Sequence, residues 1–350
     1  MYECAMRIGT EMVNLAGLKQ QVRCYLACLN ALRLVNPEYA WIIKPVLKLM
    51  DPQPNLPPGV SPKHSHGGEI VTPSRIKPRL DVLEIKDIER EFQLIAARLK
   101  LANAKKKKDQ SCGAITGPTL SAQDAVTLLV SFNNFTEAVK VAKAYKVDYR
   151  PIVEGLTSRC VYLSKAKSAA DKDAAWDWLA ENDFGDYAAA TSVEAAWALL
   201  KKLVEDLELE GQTTLKKAVA IRLLSLGTSF PAWIVTAYKA TNPAELLHIY
   251  MSHGYMLLAT VIAIEYIEAA LGNGKDYFGF TNALHATSSP IWLPFNLFDQ
   301  LLLELKEHSE DPLYQKHYVK LNQTLDNYMS VVKRVSEDMV AVRHNNCISV

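Results

Sequence analysis

Strand signals are what this 350-residue sequence has least of. No segment offers several short runs of alternating apolar and polar residues bounded by turns, which excludes a sandwich, a barrel or an alternating α/β sheet. Cysteine is scarce. Cys4, Cys24, Cys28, Cys112, Cys160 and Cys347 form neither a CxxC pair nor a dense framework, which argues against a disulfide-stapled fold and for a reduced, intracellular chain. Neither sign of charge is in excess: 39 Lys and Arg face 38 Asp and Glu, whereas a dedicated nucleic-acid surface carries a marked basic surplus. The start, Met1-Tyr2-Glu3-Cys4, lacks the basic residues and apolar run of a signal peptide. The most membrane-like stretch, Tyr255 to Leu271, is broken by Glu265 and Glu268 and falls short of the ~20 apolar residues a span needs.

Catalytic motifs are missing as well. There is no glycine-rich phosphate loop, no HExxH pair and no G-x-S-x-G elbow. His64-x-His66 and His344-x-x-Cys347 each offer two potential metal ligands with no partner nearby in sequence, too few to close a zinc site. His248 and His253 fall among apolar neighbours and read as packed or turn residues. Glu205, Asp206, Glu208 and Glu210 crowd a helix end with lysines before them and read as a solvated face, because an ion site needs converging oxygens. Asn134-Phe135-Thr136 and Asn322-Gln323-Thr324 match the glycosylation acceptor, which an intracellular chain does not meet. No residue emerges as catalytic, cofactor-binding or metal-ligating.

What is present is helix. In Thr241-Asn242-Pro243-Ala244-Glu245, Asn242 suits the cap, Pro243 the first helical position and Glu245 a capping box. Gly272 suits a left-handed stop. Between them, Leu246, Leu247, Ile249 and Tyr250 are expected to face Leu257, Leu258, Val261, Ile262 and Tyr266 across a turn at His253-Gly254. Such a pair packs antiparallel and leaves an apolar face for the next pair, the logic of an α-solenoid. A degenerate copy of this layout runs from Ser121-x-x-Asp124 through a turn at Asn133-Asn134 to Tyr145. Leu18, Val22, Tyr25, Leu29 and Leu32 mark one amphipathic helix, and Ile85, Ile88, Phe92, Ile95 and Leu99 another. Thr191-x-x-Glu194 opens the helix of Trp197 and Leu200, and Gly211 and Gly227 suit stops. The fold class is all-α, an irregular α-solenoid of stacked antiparallel helix pairs.

The expected division is a helical start over 1–50, a mobile loop over 51–80, a solenoid over 81–343 and a frayed tail over 344–350. Seven prolines mark the loop. Tyr2 to Val13 opens helical without a cap, as a chain entered in mid-element would. Lys105 to Lys108 reads as a solvated loop between helices or as a nuclear-import signal. The last helix has the cleanest pattern: Tyr314, Tyr318, Leu321, Leu325, Tyr328, Val332, Val335, Met339 and Val342 recur at alternating steps of four and three. Most of this stripe is expected to be the last layer of the solenoid. Its C-terminal end, with no further helix after it, is the candidate partner-binding face: Leu325, Tyr328, Val332, Val335, Met339 and Val342.

Several motifs carry a resemblance. They are Pro231-Ala232-Trp233-Ile234-Val235, Tyr238-Lys239, Ala244-Glu245-Leu246-Leu247, Glu265-Tyr266-Ile267 and Leu271-Gly272. In the same order stand Tyr2-Glu3-Cys4-Ala5-Met6-Arg7, Cys24-Tyr25-Leu26, Pro37-Glu38-Tyr39-Ala40-Trp41-Ile42, Ala175-Trp176-Asp177-Trp178-Leu179, Ala196-Trp197, Tyr277-Phe278-Gly279, Trp292-Leu293-Pro294 and Asp299-Gln300-Leu301-Leu302. Together they resemble the C-terminal region of the large short-arm nucleoporins of the Y complex, the outer-ring scaffold of the nuclear pore. The match spans nearly the whole chain and thins in the proline-rich loop, around the lysine run and after Arg343.

That resemblance implies a scaffold at the nuclear pore with no catalytic residue, cofactor or metal. Its partners would be other Y-complex nucleoporins at a central hub, with no small-molecule substrate, no direct nucleic acid and no membrane span. The family's β-propeller and the first part of its solenoid are missing here, so the chain is expected to be a fragment, a partial gene model or a short isoform. Two other readings stay open. A helical coat or adaptor of vesicle traffic would show a concave, polar peptide groove. A helical enzyme would show a buried cluster of carboxylates or histidines.

Overall fold

The structure, a computed structural model, describes residues 1–12, 14–44, 81–107, 120–182, 189–209, 212–273, 278, 280 and 293–348. The proline-rich stretch with His64 and His66, and Lys108, Cys112, Glu210, Gly211, Tyr277, Gly279 and Trp292, lie outside the described residues, as do the side chains of Lys107 and of the residues from Val342 onward.

In chain order the helices are α1 (Tyr2–Glu11), α2 (Leu15–Arg33), α3 (Ile85–Lys107), α4 (Ala122–Ser131), α5 (Phe135–Tyr145), α6 (Arg150–Lys165), α7 (Ala169–Asp173), α8 (Ala175–Ala180), α9 (Ser192–Leu207), α10 (Thr214–Ser225), α11 (Ala232–Thr241), α12 (Pro243–Ser252), α13 (Met256–Ala270), α14 (Phe295–Glu307) and α15 (Pro312–Ile348). The fold is all-α. A short antiparallel ladder is added to it: β1 (Trp41–Ile43) pairs β2 (Val82–Glu84), with Trp41 opposite Glu84 and Ile43 opposite Val82.

The local signals act as their chemistry requires. Ser121 Oγ accepts from the Asp124 N–H at 3.1 Å, Thr191 Oγ1 from Glu194 at 3.2 Å and Asn242 Oδ1 from Glu245 at 3.1 Å, each satisfying a donor that has no partner within its helix. Asn133 turns the α4–α5 corner at φ 60°, and Gly227, Gly254 and Gly272 take positive φ at the stops and the hairpin turn.

The chain divides into two compact units, which the boundary expected at residue 80 did not anticipate. The first holds 1–152 with 181–183, and the second holds 153–180 with 184–350. Helices on both sides of the proline-rich stretch therefore share a core. In the first unit α1 packs on α2, α2 on α3, and α3 on the α4–α5 pair. Leu18, Tyr25 and Leu29 of α2 and Ile88, Ile95 and Leu101 of α3 are buried in its interior. Glu91 accepts from the Tyr2 hydroxyl at 2.7 Å and the Tyr25 hydroxyl at 2.9 Å; burial, with the carboxylate beside them, pushes both phenol pKa values up. Buried Asn182 donates to the Asn133 carbonyl at 2.7 Å and accepts from the Thr136 N–H at 2.9 Å, which is why its short segment belongs here.

In the second unit α7 and α8 pack with α9, and α11, α12 and α13 follow one another, with α14 and α15 closing on them. The Cys160 thiol of α6 donates to the Ala196 carbonyl of α9 at 3.3 Å, and Trp197 Nε1 to Ser164 Oγ at 3.0 Å. Tyr266 sits among Phe278, Phe280 and Phe298.

Four expectations are corrected. Lys105 to Lys107 belong to the last turn of α3 and not to a loop, where cations complement the helix dipole. The last helix continues to Ile348, past the frayed tail expected after Arg343. Leu258 and Val261 point outward, while Ala259, Ile262, Ala263 and Tyr266 take the buried side of α13. Glu208 is not solvated. Its side chain is 2% exposed and pairs with Lys216 at 2.6 Å, and its Oε1 accepts from the Leu215 N–H at 2.7 Å.

Candidate protein-interaction surface

The stripe of α15 is built by spacing: residues three and four apart share one face of a helix. Structurally it falls into two halves. Its first half packs against α13 and α14. Leu321 is fully enclosed, Thr324 is buried with its hydroxyl donating to the Lys320 carbonyl at 2.8 Å, and Tyr328 is buried with its ring 6.1 Å from that of Phe295. Burial pushes the Tyr328 phenol pKa up. Tyr314, Tyr318 and Leu325 are half-buried beside them.

Beyond Tyr328 the periodicity continues and the cover thins. Val332, Val335 and Met339 are each half-buried, and none is enclosed. Val331, which the four-three spacing passes over, joins them. Val342 is within the helix, with its side chain outside the described ones. Exposed Lys333 and Arg334, then Glu337 and Asp338, carry both signs around this second half, so an apolar line runs between polar edges. Of the six predicted contact residues, Tyr328 belongs to the unit's own core, Leu325 to its border, and Val332, Val335 and Met339 to the half-open stretch.

What this surface offers is apolar area and shape, with no His, Asp, Glu or Cys among its described stripe residues. His248 and His253 are both exposed, and His253 Nδ1 lies 2.9 Å from the Ile249 carbonyl of its own turn. Among the described residues no three His, Cys, Asp or Glu side chains are grouped to hold a metal ion, and no helix is long and apolar enough to cross a membrane.

Stacked helix pairs ending in an apolar stripe with polar edges define a helical scaffold protein. The comparisons with known proteins are more particular. The family profile described as Nup160 C-terminal TPR matches residues 84–345, and that of the NUP160/120 middle TPR matches residues 1–34. The chain belongs to the Nup160 family. It is 35% identical over 347 residues to the human nuclear pore complex protein Nup160, covering 97% of this chain and 23% of the human protein. Against the mouse protein the identity is 34%, covering 97% of this chain and 24% of that protein. Against the Drosophila melanogaster homolog it is 32% over 349 residues, covering 98% of this chain and 23% of the homolog. The chain thus spans about a quarter of the length of these relatives.

Proposed function

We propose that this chain is a non-catalytic scaffold segment of the nuclear pore complex at the nuclear envelope. It joins other scaffold nucleoporins of the Y-shaped outer-ring complex at its central hub, and so supports pore assembly and nucleocytoplasmic transport, mRNA export included. Helical faces make the contacts, among them the second half of α15 through Val332, Val335, Met339 and Val342, with Leu325 and Tyr328 anchoring its near end. Neither a small-molecule substrate, a cofactor nor direct nucleic-acid binding enters this role.

The observation that carries the reading is the stripe, which keeps its spacing past Tyr328 while its residues become half-exposed. Enclosing what remains open would recover on the order of 1 kcal/mol per valine or methionine, and membership of the Nup160 family supplies the setting. The experiment is size-exclusion chromatography with light scattering on the purified chain, alone and mixed with the two Y-complex nucleoporins that meet at the hub. A co-eluting complex of defined mass supports the proposal. A folded chain that elutes apart from both refutes it for these residues.

A further inference from the structure

We infer that the groove bounded by α2, α3 and α5 in the first unit is a docking site for an acidic, amphipathic helix of a partner protein. Its floor is α3. Phe92, Ala96 and Leu99 lie along one face of that helix, all half-buried, with Val22 of α2 beside them. The hollow above them measures about 390 Å³, and a second of about 300 Å³ continues from it, sharing Lys100 and Asn103 and reaching Asn134 and Glu181. Ala96 leaves a notch in mid-floor where another backbone can approach closely. An apolar row at steps of four and three is the complement of a second helix's apolar row.

The rim sets the sign of the partner. Lys100 and Lys140 flank Glu137 at 2.8 and 2.9 Å. That carboxylate is already committed to both, with its side chain 10% exposed, while each lysine remains nearly half exposed. On the other wall, Lys19, Val22, Arg23 and Leu26 share one face of α2, and Lys19, Arg23 and Leu26 are exposed. From Phe92 to Lys107, α3 carries Arg98, Lys100, Lys105, Lys106 and Lys107 and no acid. Lys100 and Lys140 line the groove and Lys19 and Arg23 flank Val22 beside it, four cations against two lining carboxylates, Glu137 already paired with both lysines and Glu181 at the far end of the second hollow, in a chain whose overall charge is only +1. Cations bordering an apolar floor suit glutamates and aspartates bordering an apolar helix face. A nucleic acid would engage the rim through phosphates and leave the floor without a partner.

This inference concerns a different surface from α15 and stands or falls separately from the scaffold reading. The probe is a fluorescein-labelled peptide of about 18 residues, enough for several helical turns, with Leu at helical i, i+3, i+4 and i+7 positions and Glu at the others. Its control carries Lys in place of Glu. Anisotropy titration against the full chain should show binding of the acidic peptide alone, weakened about 10-fold or more by raised salt. Two variants test the two parts of the groove: Lys19→Glu with Arg23→Glu inverts one wall, and Ala96→Trp fills the notch without touching charge. Both leave the Lys100–Glu137–Lys140 group intact, and each should weaken binding at least about 10-fold while far-UV circular dichroism stays native. Val332→Asp on α15 should leave it unchanged. Equal binding of the basic peptide, wild-type affinity in a folded variant of either kind, or displacement of the acidic peptide by single-stranded RNA would overturn the inference, the last by making this a polyanion surface.

Discussion

Glu208 shows how one side chain can join two elements. It sits just past the last residue of α9, yet its carboxylate accepts from the Leu215 N–H and pairs with Lys216 at the start of α10. The first N–H groups of a helix have no partner within it, so this carboxylate acts as a cap supplied from the preceding element. Replacing it by Ala strands those donors and leaves Lys216, itself only 18% exposed, without its partner. Glu208→Ala should cost about 2 kcal/mol, and Glu208→Gln less; thermal melts of both variants check this. Glu137 makes the companion case. Burial raises its pKa, and hydrogen bonds and charge from Lys100 and Lys140 more than offset that, leaving it below the ordinary carboxylate value of 4.5. A carboxylate whose pKa is lower folded than unfolded adds stability that is present above the unfolded pKa and lost as pH falls through the folded one. The stability gap between wild type and Glu137→Gln should therefore be widest at neutral pH and close as the pH drops below 4.5, as urea titrations across that range would show. Sequence reading assigned Glu208 to solvent because its partners lie seven and eight residues on, across a loop, beyond the reach of any local pattern.

Corners and hairpins set the next scale. At the α1–α2 corner, Gly17 donates its N–H to Asn14 Oδ1 at 2.8 Å, and a Cβ there would run into the Met12 carbonyl oxygen and lie 2.7 Å from the Met12 Cβ. Gly254, between α12 and α13, has open space around it and is held at φ 77°. Two glycines thus serve different ends, close approach at one and backbone conformation at the other. Gly17→Ala should cost about 2–3 kcal/mol by forcing the corner open, although Ala favours a helix interior. Gly254→Ala should cost only about 1 kcal/mol. Melting curves that rank the two in the opposite order would contradict this account. Element starts were legible because a cap acts over three residues: Ser121, Thr191 and Asn242 all accept where the sequence placed them. The inward side of α13 was not, because a helix apolar nearly all round carries no phase, and only its neighbours turn Leu258 and Val261 outward. Nor was the β1–β2 ladder, whose strands are three residues each and meet across a long intervening stretch.

On the scale of the whole chain, the class of fold followed from absent strand patterns and repeated helix pairs. Its division into two units did not, since contacts such as Asn182 to Asn133 join residues remote in sequence. The α15 stripe was legible as a stripe because periodicity is local. Which part of it is covered depends on where α13 and α14 lie, and that places Tyr328 in the core and Val332 at the open side. Two substitutions separate these roles. Tyr328→Ala should destabilise the folded chain by about 3 kcal/mol through the cavity it leaves beside Phe295. Val332→Asp with Val335→Asp should change stability far less, because both side chains already touch solvent. Isothermal titration calorimetry of wild type and the Val332→Asp, Val335→Asp pair against the purified hub nucleoporins tests the central claim most directly. The account predicts saturable binding by the wild type and its loss in a pair that still melts cooperatively; a folded pair that binds with wild-type affinity would contradict it.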